Sequence, residues 1–434
     1  MILLSKALKH YKRPEIQKAI LEHSKEREIA IRYGDKGFGK RPDSLKYPAD
    51  VLEAAKQGAS SFHCSEELWQ NPLQLDVSMS KKDLDTLRSG WDLVLDIDCA
   101  VLEYSQIAAD LLVKALKFYN IMAVSCKYSG NKGFHIGVPF EAFPSEVNGK
   151  SIVGLFPEGA RAIALYLRDM IKQELANQIL QFEKNDFAII AKKTGKTPQE
   201  IVSTKSRQGL SVQTLNLDSF LQIDTILISS RHMYRMPYSL HEKSQLVSIP
   251  INPDRVLQFN KLVAKPENVK VSKYKFLDQK NINAGEGKQL LVQALDYNIK
   301  RYVATETKPV EIPEVAIPEQ FFPPCIKIGL QGLIDGRKRF LFSLQNFLGC
   351  VGWSTDQIEE LVSEWNQKNN EPLRETITKG QLRYSKQRKQ VIMPPNCQNL
   401  MYYLDIGICK PDNLCSKIKN PVQYAKRKTR FLKL

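Results

Sequence analysis

With 434 residues, 43% of them hydrophobic and 25% charged, the chain has the composition of a folded protein of two or three domains, which excludes a disordered or fibrous one. Its 63 Lys and Arg outnumber 47 Asp and Glu for a formal net charge of +16, pointing to a polyanionic partner, nucleic acid ahead of an acidic membrane surface. No apolar run reaches the ~18 residues of a bilayer span and Met1–Leu4 is too short for a signal peptide, so the expectation is a cytoplasmic, nucleoid-associated protein whose eight cysteines are thiols or metal ligands, not disulfides.

Arg27–Tyr33 and Trp91–Asp98 read as strands, Tyr104–Tyr119 has helical periodicity, and Phe134–Val138 is again strand-like. A helix follows over Glu158–Phe182, then a polar, Lys-rich stretch to Gln208 that reads as part of an insertion over about residues 150–215. Leu217–Ile228 and Leu246–Ile251 return to strands. Such alternation argues for an α/β or α+β core. Residues 308–324 run KPVEIPEVAIPEQFFPP, proline too dense for a helix or a central strand, and predict an extended, semi-rigid linker. Beyond it, Gly336–Gly349 and Asp356–Asn366 look helical. The expected organisation is one domain over 1–285, a helix and Pro-rich linker over 286–318, and a second, mainly helical domain over 319–434.

The most informative segment is Trp91-Asp-Leu-Val-Leu-Asp-Ile-Asp98. Alternate side chains of a strand share a face, so Leu93, Leu95 and Ile97 point to a core while Asp96 and Asp98 point the other way. Two carboxylates about 4 Å apart repel by roughly 4 kcal/mol at an effective dielectric near 20, and a divalent cation between them reverses the sign. A two-metal site for phosphoryl displacement needs such a pair and a third acid; the bland alternative is a polar strand face in solvent. Some thirty residues on comes Tyr128-Ser-Gly-Asn-Lys-Gly-Phe-His-Ile136. Ser129, Gly130 and Gly133 allow close backbone approach to a phosphate, Lys132 neutralises it, and His135 faces the same open surface as the acids. Alone, this reads equally as a surface turn with a structural histidine. Asp224 is the only acid in the strand-like Leu221–Ile226, and the bases of the following Ser230–His241, Arg231, Arg235 and His241, suit a triphosphate or a primer backbone.

In order and form these pieces resemble the catalytic small subunit of archaeal and eukaryotic DNA primases, within the archaeo-eukaryotic primase superfamily. The likeness covers the Asp-x-Asp strand, the Ser-Gly-x-x-Gly-x-His entry, and the Asp followed by Arg-x-Pro-x-Ser-x-His. Arg27-Glu28 and Ser65-Glu-Glu-Leu-Trp-Gln-Asn-Pro72 fit it too. The resemblance implies an α+β fold, a primase-type mixed-sheet core with an RRM-like element. It implies Asp96, Asp98 and Asp224 as ligands of two Mg²⁺ or Mn²⁺ ions, and nucleotide contacts from Ser129, Lys132, His135, Arg235 and His241, joined by Arg27. The zinc knob of many small subunits has no counterpart, since no CxxC pair exists. Cys64, Cys99, Cys126 and Cys350 read as buried or incidental thiols, and no zinc is expected there.

Cys325, Cys397, Cys409 and Cys415 form a second group. Four thiolates satisfy a [4Fe–4S] cluster and equally a tetrahedral zinc, with four unrelated core cysteines as the plain alternative. One ligand far upstream of the other three leans toward a cluster between helices. Pro323-Pro-Cys, Gly336-Arg337, Gly349, Pro394-Pro-Asn-Cys397, Gly407-Ile-Cys409, Cys415 and Asn420–Tyr424 together resemble the iron–sulfur domain of the primase large subunit, which implies the cluster. Lys426, Arg427, Lys428 and Arg430 with Tyr402, Tyr403 and Tyr424 offer cations for phosphates and rings for bases, as a single-strand grip requires, though a basic tail is also commonly just a solvated end.

The expected protein is therefore a monomeric single-chain primase that binds a single-stranded DNA template, primer and nucleoside triphosphates, with replisome proteins as further partners and no membrane. A superfamily polymerase of repair or plasmid replication that extends without initiating, and a non-catalytic iron–sulfur nucleic-acid-binding protein, are the alternatives.

Overall fold

Strands form where apolar side chains alternate or run together, and their pairing sets the layout of the first half of the chain. The computed structural model describes residues 4–76, 78–207, 210–224, 228–280, 282–304, 311–386 and 391–430, which divide into two compact units, Met1–Ala304 and Thr305–Leu434. In the first unit the elements that position the site are β1 (Ile29–Arg32), β2 (Ser61–Ser65), β3 (Leu93–Cys99), α1 (Leu102–Phe118), β4 (Ser125–Tyr128), β5 (Phe134–Val138), α2 (Glu158–Phe182), β6 (Leu221–Ile223), β7 (Met233–Arg235), β8 (Pro250–Ile251) and α3 (Lys288–Ala304).

β6, β3, β5, β4 and β8 lie side by side in that order, every neighbouring pair antiparallel. The run β3–α1–β4–β5–α2–β6 is thus a split βαβ unit whose four strands take the spatial order 4-1-3-2, the topology of an RRM-like element. Leu93, Leu95 and Ile97 are fully buried on the helix-covered face, as the alternation of this strand predicts. α2 buries Ile163, Ala164, Leu167, Ile171, Leu175 and Ile179, the three-and-four spacing of a helix with one apolar stripe. Strand formation stops short of the sequence expectation in two places: β6 ends at Ile223 and β8 covers only Pro250–Ile251, while residues 225–227 lie outside the described residues.

The other face of this sheet meets a three-stranded antiparallel sheet in the order β1-β2-β7. Tyr234 of β7 packs edge-on to His135 of β5, with ring centroids 6.1 Å apart, and lies 5.7 Å from the Lys127 ammonium of β4. The stretch after α2 holds a helix at Phe187–Thr194, capped by Asp186 and closed by left-handed Gly195, and a hairpin pairing Val202–Arg207 with Leu210–Leu215. α3, expected within the connection between domains, belongs to the first unit. Leu290, Leu291 and Ala294 are fully buried, and Gln293 accepts a hydrogen bond from Tyr119 at 2.6 Å.

The second unit is helical: α4 (Pro324–Gly329), α5 (Arg337–Cys350), α6 (Thr355–Gln367), α7 (Glu375–Lys386) and α8 (Pro421–Thr429), with no strand among its described residues. Its core gathers Phe322, Ile326, Phe340, Leu344, Phe347 and Trp365. Trp365 donates its indole N–H to the Gly329 carbonyl at 2.9 Å, and a Cβ on Gly329 would lie 2.1 Å from the Phe340 ring, so only glycine admits this packing. Part of the Pro-rich segment is anchored here. Ile317 is buried, its N–H donates to Val351 at 2.9 Å, and its carbonyl accepts the Trp353 indole N–H at 2.9 Å. The fold is α+β with a helical C-terminal unit. No helix among the described residues is long and apolar enough to cross a membrane.

Candidate active site

Strand register assembles the site. Asp96 of β3 pairs with His135 of β5, which pairs with Lys127 of β4. On the other side of β3, the Asp224 N–H donates to the Asp96 carbonyl at 2.9 Å, extending the β6 pairing by one residue. Directly opposed residues share a face, so Asp224, Asp96, His135 and Lys127 form one row across the sheet, with Asp98 one step along β3 on the same side. A cavity of about 250 Å³ opens over this row. Besides the three aspartates it is lined by Glu66, Ser129, Asn131, Lys132, His135 and by His63, His232, Arg235 and His241 from β2, β7 and their flanks.

The floor of the cavity is electrostatically crowded. Burial pushes the Asp96 carboxyl up to about 7; Lys127 pulls it back, while Asp98 and Asp224 push it further. Lys127 has no exposed surface. Its ammonium donates to Ser248 Oγ at 3.0 Å, and burial drives its pKa from 10.5 down to about 7 against the pull of Asp96. His135 Nε2 lies 3.3 Å from Asp96 Oδ1; burial, then the positive charge of Lys127, keeps this ring neutral, and its buried Nδ1 has no hydrogen-bond partner among the described residues. Burial likewise pushes His63 and His241 down to about 4. Burial alone would raise the Glu242 carboxyl, but hydrogen bonding to His63 and the Arg235 charge hold it far below the usual range. At neutral pH His63, His135 and His241 are therefore neutral; beside them stand Lys132, an Arg235 whose guanidinium pairs with Glu242 at 2.7 Å, and His232, whose pKa burial would lower but hydrogen bonding to Glu66 and the charges of Asp224 and Asp96 raise. Among the described residues no three His, Cys, Asp or Glu side chains yet converge as ligands of one ion.

Of the residues singled out in the sequence, Asp96, Asp98, Asp224, Ser129, Lys132, His135, Arg235 and His241 line this one cavity. The glycines serve the backbone. Gly130 adopts a φ of 98°, and a Cβ on Gly133 would sit 1.8 Å from the Ile97 carbonyl oxygen, so Gly133 lets β5 approach β3 beside Asp98. Two arginines are corrected. Arg27 is buried in an ion pair with Asp92 and donates to the Ser65 carbonyl at 2.9 Å; it lies outside the lining of the acid cavity. Arg231 is clamped by Glu28 at 2.6 Å and lies outside the cavity lining. Sequence reasoning passed over Glu66, His232 and Lys127, although the first two stood inside segments already singled out, and it read His63 beside Cys64 as structural.

In the second unit Cys325, Cys397, Cys409 and Cys415 line a single cavity of about 460 Å³. All four are half-buried, whereas Cys64, Cys99, Cys126 and Cys350 are buried. Burial raises the Cys325 thiol, and Cys397, Cys415 and Cys409 each raise it further. Among the aromatic residues expected at nucleic acid, Tyr403 is a core residue, 2% exposed, whose hydroxyl donates to the Pro395 carbonyl at 2.8 Å. Tyr424 is also buried and hydrogen-bonds Asp412, so neither ring is free to stack on a base. Tyr402 is half-buried beside Phe342. Arg427, Lys428 and Arg430 are exposed along α8, while Lys426 reaches the Glu311 carbonyl.

No family model matches the chain. An uncharacterized protein of Methanocaldococcus jannaschii is 25% identical over 146 residues, which is 33% of this chain; the match spans 31% of that relative's length. Among solved structures, the polymerase domain of Mycobacterium tuberculosis ligase D, in complex with DNA, is similar at a TM-score of 0.36 and 14% sequence identity, over 70% of this chain and 92% of that one.

Proposed function

We propose that the chain is a DNA-templated nucleotidyltransferase of primase type, which joins nucleotides de novo on single-stranded DNA and extends the product. One observation carries the reading: a single cavity in which Asp96, Asp98 and Asp224 face Ser129, Lys132, His135, Arg235 and His241. The residues present fit a pair of divalent cations. Three carboxylates stand within one or two pleats of each other, and the charges of Asp98 and Asp224 add to burial in pushing Asp96 toward its protonated form. Oxygen donors of this kind suit Mg²⁺ or Mn²⁺. Such cations, when bound, supply neutralisation of the triphosphate and a lowered pKa for the attacking 3′-hydroxyl.

The rest belongs to the chain's own side chains. Lys132 and Arg235 neutralise phosphate charge. Ser129 and the neutral His241 present hydrogen-bonding groups that place the triphosphate without adding repulsion toward a cation. His135 packs against Asp96 and fixes the position of its carboxylate.

Cys325, Cys397, Cys409 and Cys415 line one cavity and offer the four thiolates that a [4Fe–4S] cluster takes, with a tetrahedral zinc at the same cysteines as the alternative. The cluster would tie the start of α4 to the loops preceding α8. The exposed bases of α8 then serve template and initiating nucleotide.

The experiment is unprimed synthesis on single-stranded DNA with Mg²⁺ or Mn²⁺ and either ribo- or deoxyribonucleoside triphosphates. Short products bearing a 5′-triphosphate are expected from the native chain and none from Asp96→Asn/Asp98→Asn. Products from a supplied primer alone would remove initiation from the reading, and undiminished synthesis by the double variant would falsify the site itself.

A further inference from the structure

His232 lines the acid cavity, and nothing above gives it a task. It stands immediately before β7, where Met233 pairs with Ser65, so the antiparallel register sets Glu66 opposite it. Glu66 Oε1 lies 2.9 Å from His232 Nδ1. Two more acids hold the same stretch of backbone. Glu28 grips the Arg231 guanidinium at 2.6 and 2.9 Å, and Glu67 accepts the Arg231 N–H, with Arg231 in the left-handed region at φ 61°. Glu28 and Glu67 are fully buried and Glu66 is 2% exposed. Burying three carboxylates is costly unless each is paired. What the arrangement fixes is the orientation of one imidazole. With Nδ1 turned to Glu66, Nε2 is the vertex of the ring left to the cavity, and the side chain is 25% exposed there. It shares this cavity with Asp96, Asp98 and Asp224.

We infer that His232 is a nitrogen ligand of a divalent cation held by Asp96, Asp98 and Asp224, oriented by Glu66, and that it biases the site away from Mg²⁺ toward Mn²⁺. The inference rests on the cation site proposed above. A carboxylate that takes the Nδ1 hydrogen bond fixes the tautomer with its lone pair on Nε2 and makes that nitrogen a better donor. Mg²⁺ prefers oxygen and dehydrates reluctantly, whereas affinity for mixed nitrogen and oxygen sites rises along the transition series that Mn²⁺ begins. The competing nitrogen is His135, whose Nε2 already lies against Asp96.

The test is electron spin-echo modulation of Mn²⁺ bound to the full chain, which registers a directly coordinated ¹⁴N, together with Mn²⁺ and Mg²⁺ affinities by calorimetry. The native chain is expected to show nitrogen modulation, lost in His232→Gln and kept in His135→Gln. Mn²⁺ affinity should fall tenfold or more in His232→Gln and about tenfold in Glu66→Gln, with a smaller change for Mg²⁺. Absence of nitrogen modulation in the native chain, which needs no substitution to observe, overturns the inference; so does modulation that survives His232→Gln. Mn²⁺ binding that is absent, or equal in the native and Asp96→Asn/Asp98→Asn chains, overturns instead the cation site on which it rests.

Discussion

Lys127→Met puts a number on the charge balance under the acids. The native ammonium is fully buried, with Ser248 Oγ as its hydrogen-bond acceptor and the Tyr234 and Phe276 rings at 5.7 and 5.3 Å. Folding takes its pKa from 10.5 to about 7, which corresponds to ~5 kcal/mol at most. Below about pH 7 both folded and unfolded chains carry the proton, so the whole penalty is present. Between about 7 and 10.5 only the unfolded chain carries it, and native stability rises by ~1.4 kcal/mol per pH unit until the penalty is gone. Methionine fills the same length without charge, but forfeits the hydrogen bond and the ring contacts, together ~2 kcal/mol. The variant is therefore expected to be ~3 kcal/mol more stable than the native chain at pH 6, worth roughly 5 °C in the melting of a unit of this size, and less stable at pH 10. Asp96 titrates with the opposite sign: its carboxyl is raised from 3.8 to about 7, so its ionisation lowers stability across that window. Repeating the comparison on an Asp96→Asn background removes the coupling between the two. Scanning calorimetry of the four chains at pH 6, 8 and 10 reads the result. A native-minus-variant difference that stays constant with pH would show that Lys127 keeps an ordinary pKa and that the crowding argument is wrong.

Gly133→Ala places a methyl group 1.8 Å from the Ile97 carbonyl oxygen, so β3 and β5 must part beside Asp98; a loss of ~3 kcal/mol and of product formation is expected, and a native melting temperature would contradict it. Arg27→Met strands the buried Asp92 and should cost ~3–5 kcal/mol in urea unfolding, while Arg27→Met/Asp92→Leu recovers most of it. A changed KM for nucleotide in folded Arg27→Met would return Arg27 to the site. Cys397→Ser should empty the second unit of iron and sulfide while synthesis on a supplied primer stays within twofold of native; equal iron content in the variant would count against the quartet as ligands.

The sequence made part of this site readable and hid the rest for identifiable reasons. Asp96 and Asp98 were legible because a period of two is local: the alternation with Leu95 and Ile97 orients both carboxylates without any knowledge of neighbours. Asp224 was legible as an acid in a strand-like run, but its placement beside Asp96 depends on which strands pair. Glu66 and His232 lay within segments the sequence marked, but their pairing, like the position of Lys127, depends on strand register. Arg27 and Arg231 were misread for the converse reason. Their carboxylate partners, Asp92 and Glu28, reach them across strands, so a buried ion pair looked like a free cation. Tyr403 and Tyr424 sit among basic residues that suggest a base-stacking surface, yet burial is a tertiary property and both rings went to the core. The prolines after Lys308 predicted an extended linker; residues 308–310 lie outside the described residues, a short 3-10 helix forms at Glu319–Phe321, and the apolar Ile317 was the hint that this segment would be pinned to the second unit.

The walls of the cysteine cavity come from opposite ends of the second unit: Pro323 and Cys325 at its start, Cys415, Ile418 and Pro421 after all its longer helices but α8. Any group bound by all four cysteines would therefore join the two ends of this unit, which the helices α5, α6 and α7 otherwise separate along the chain.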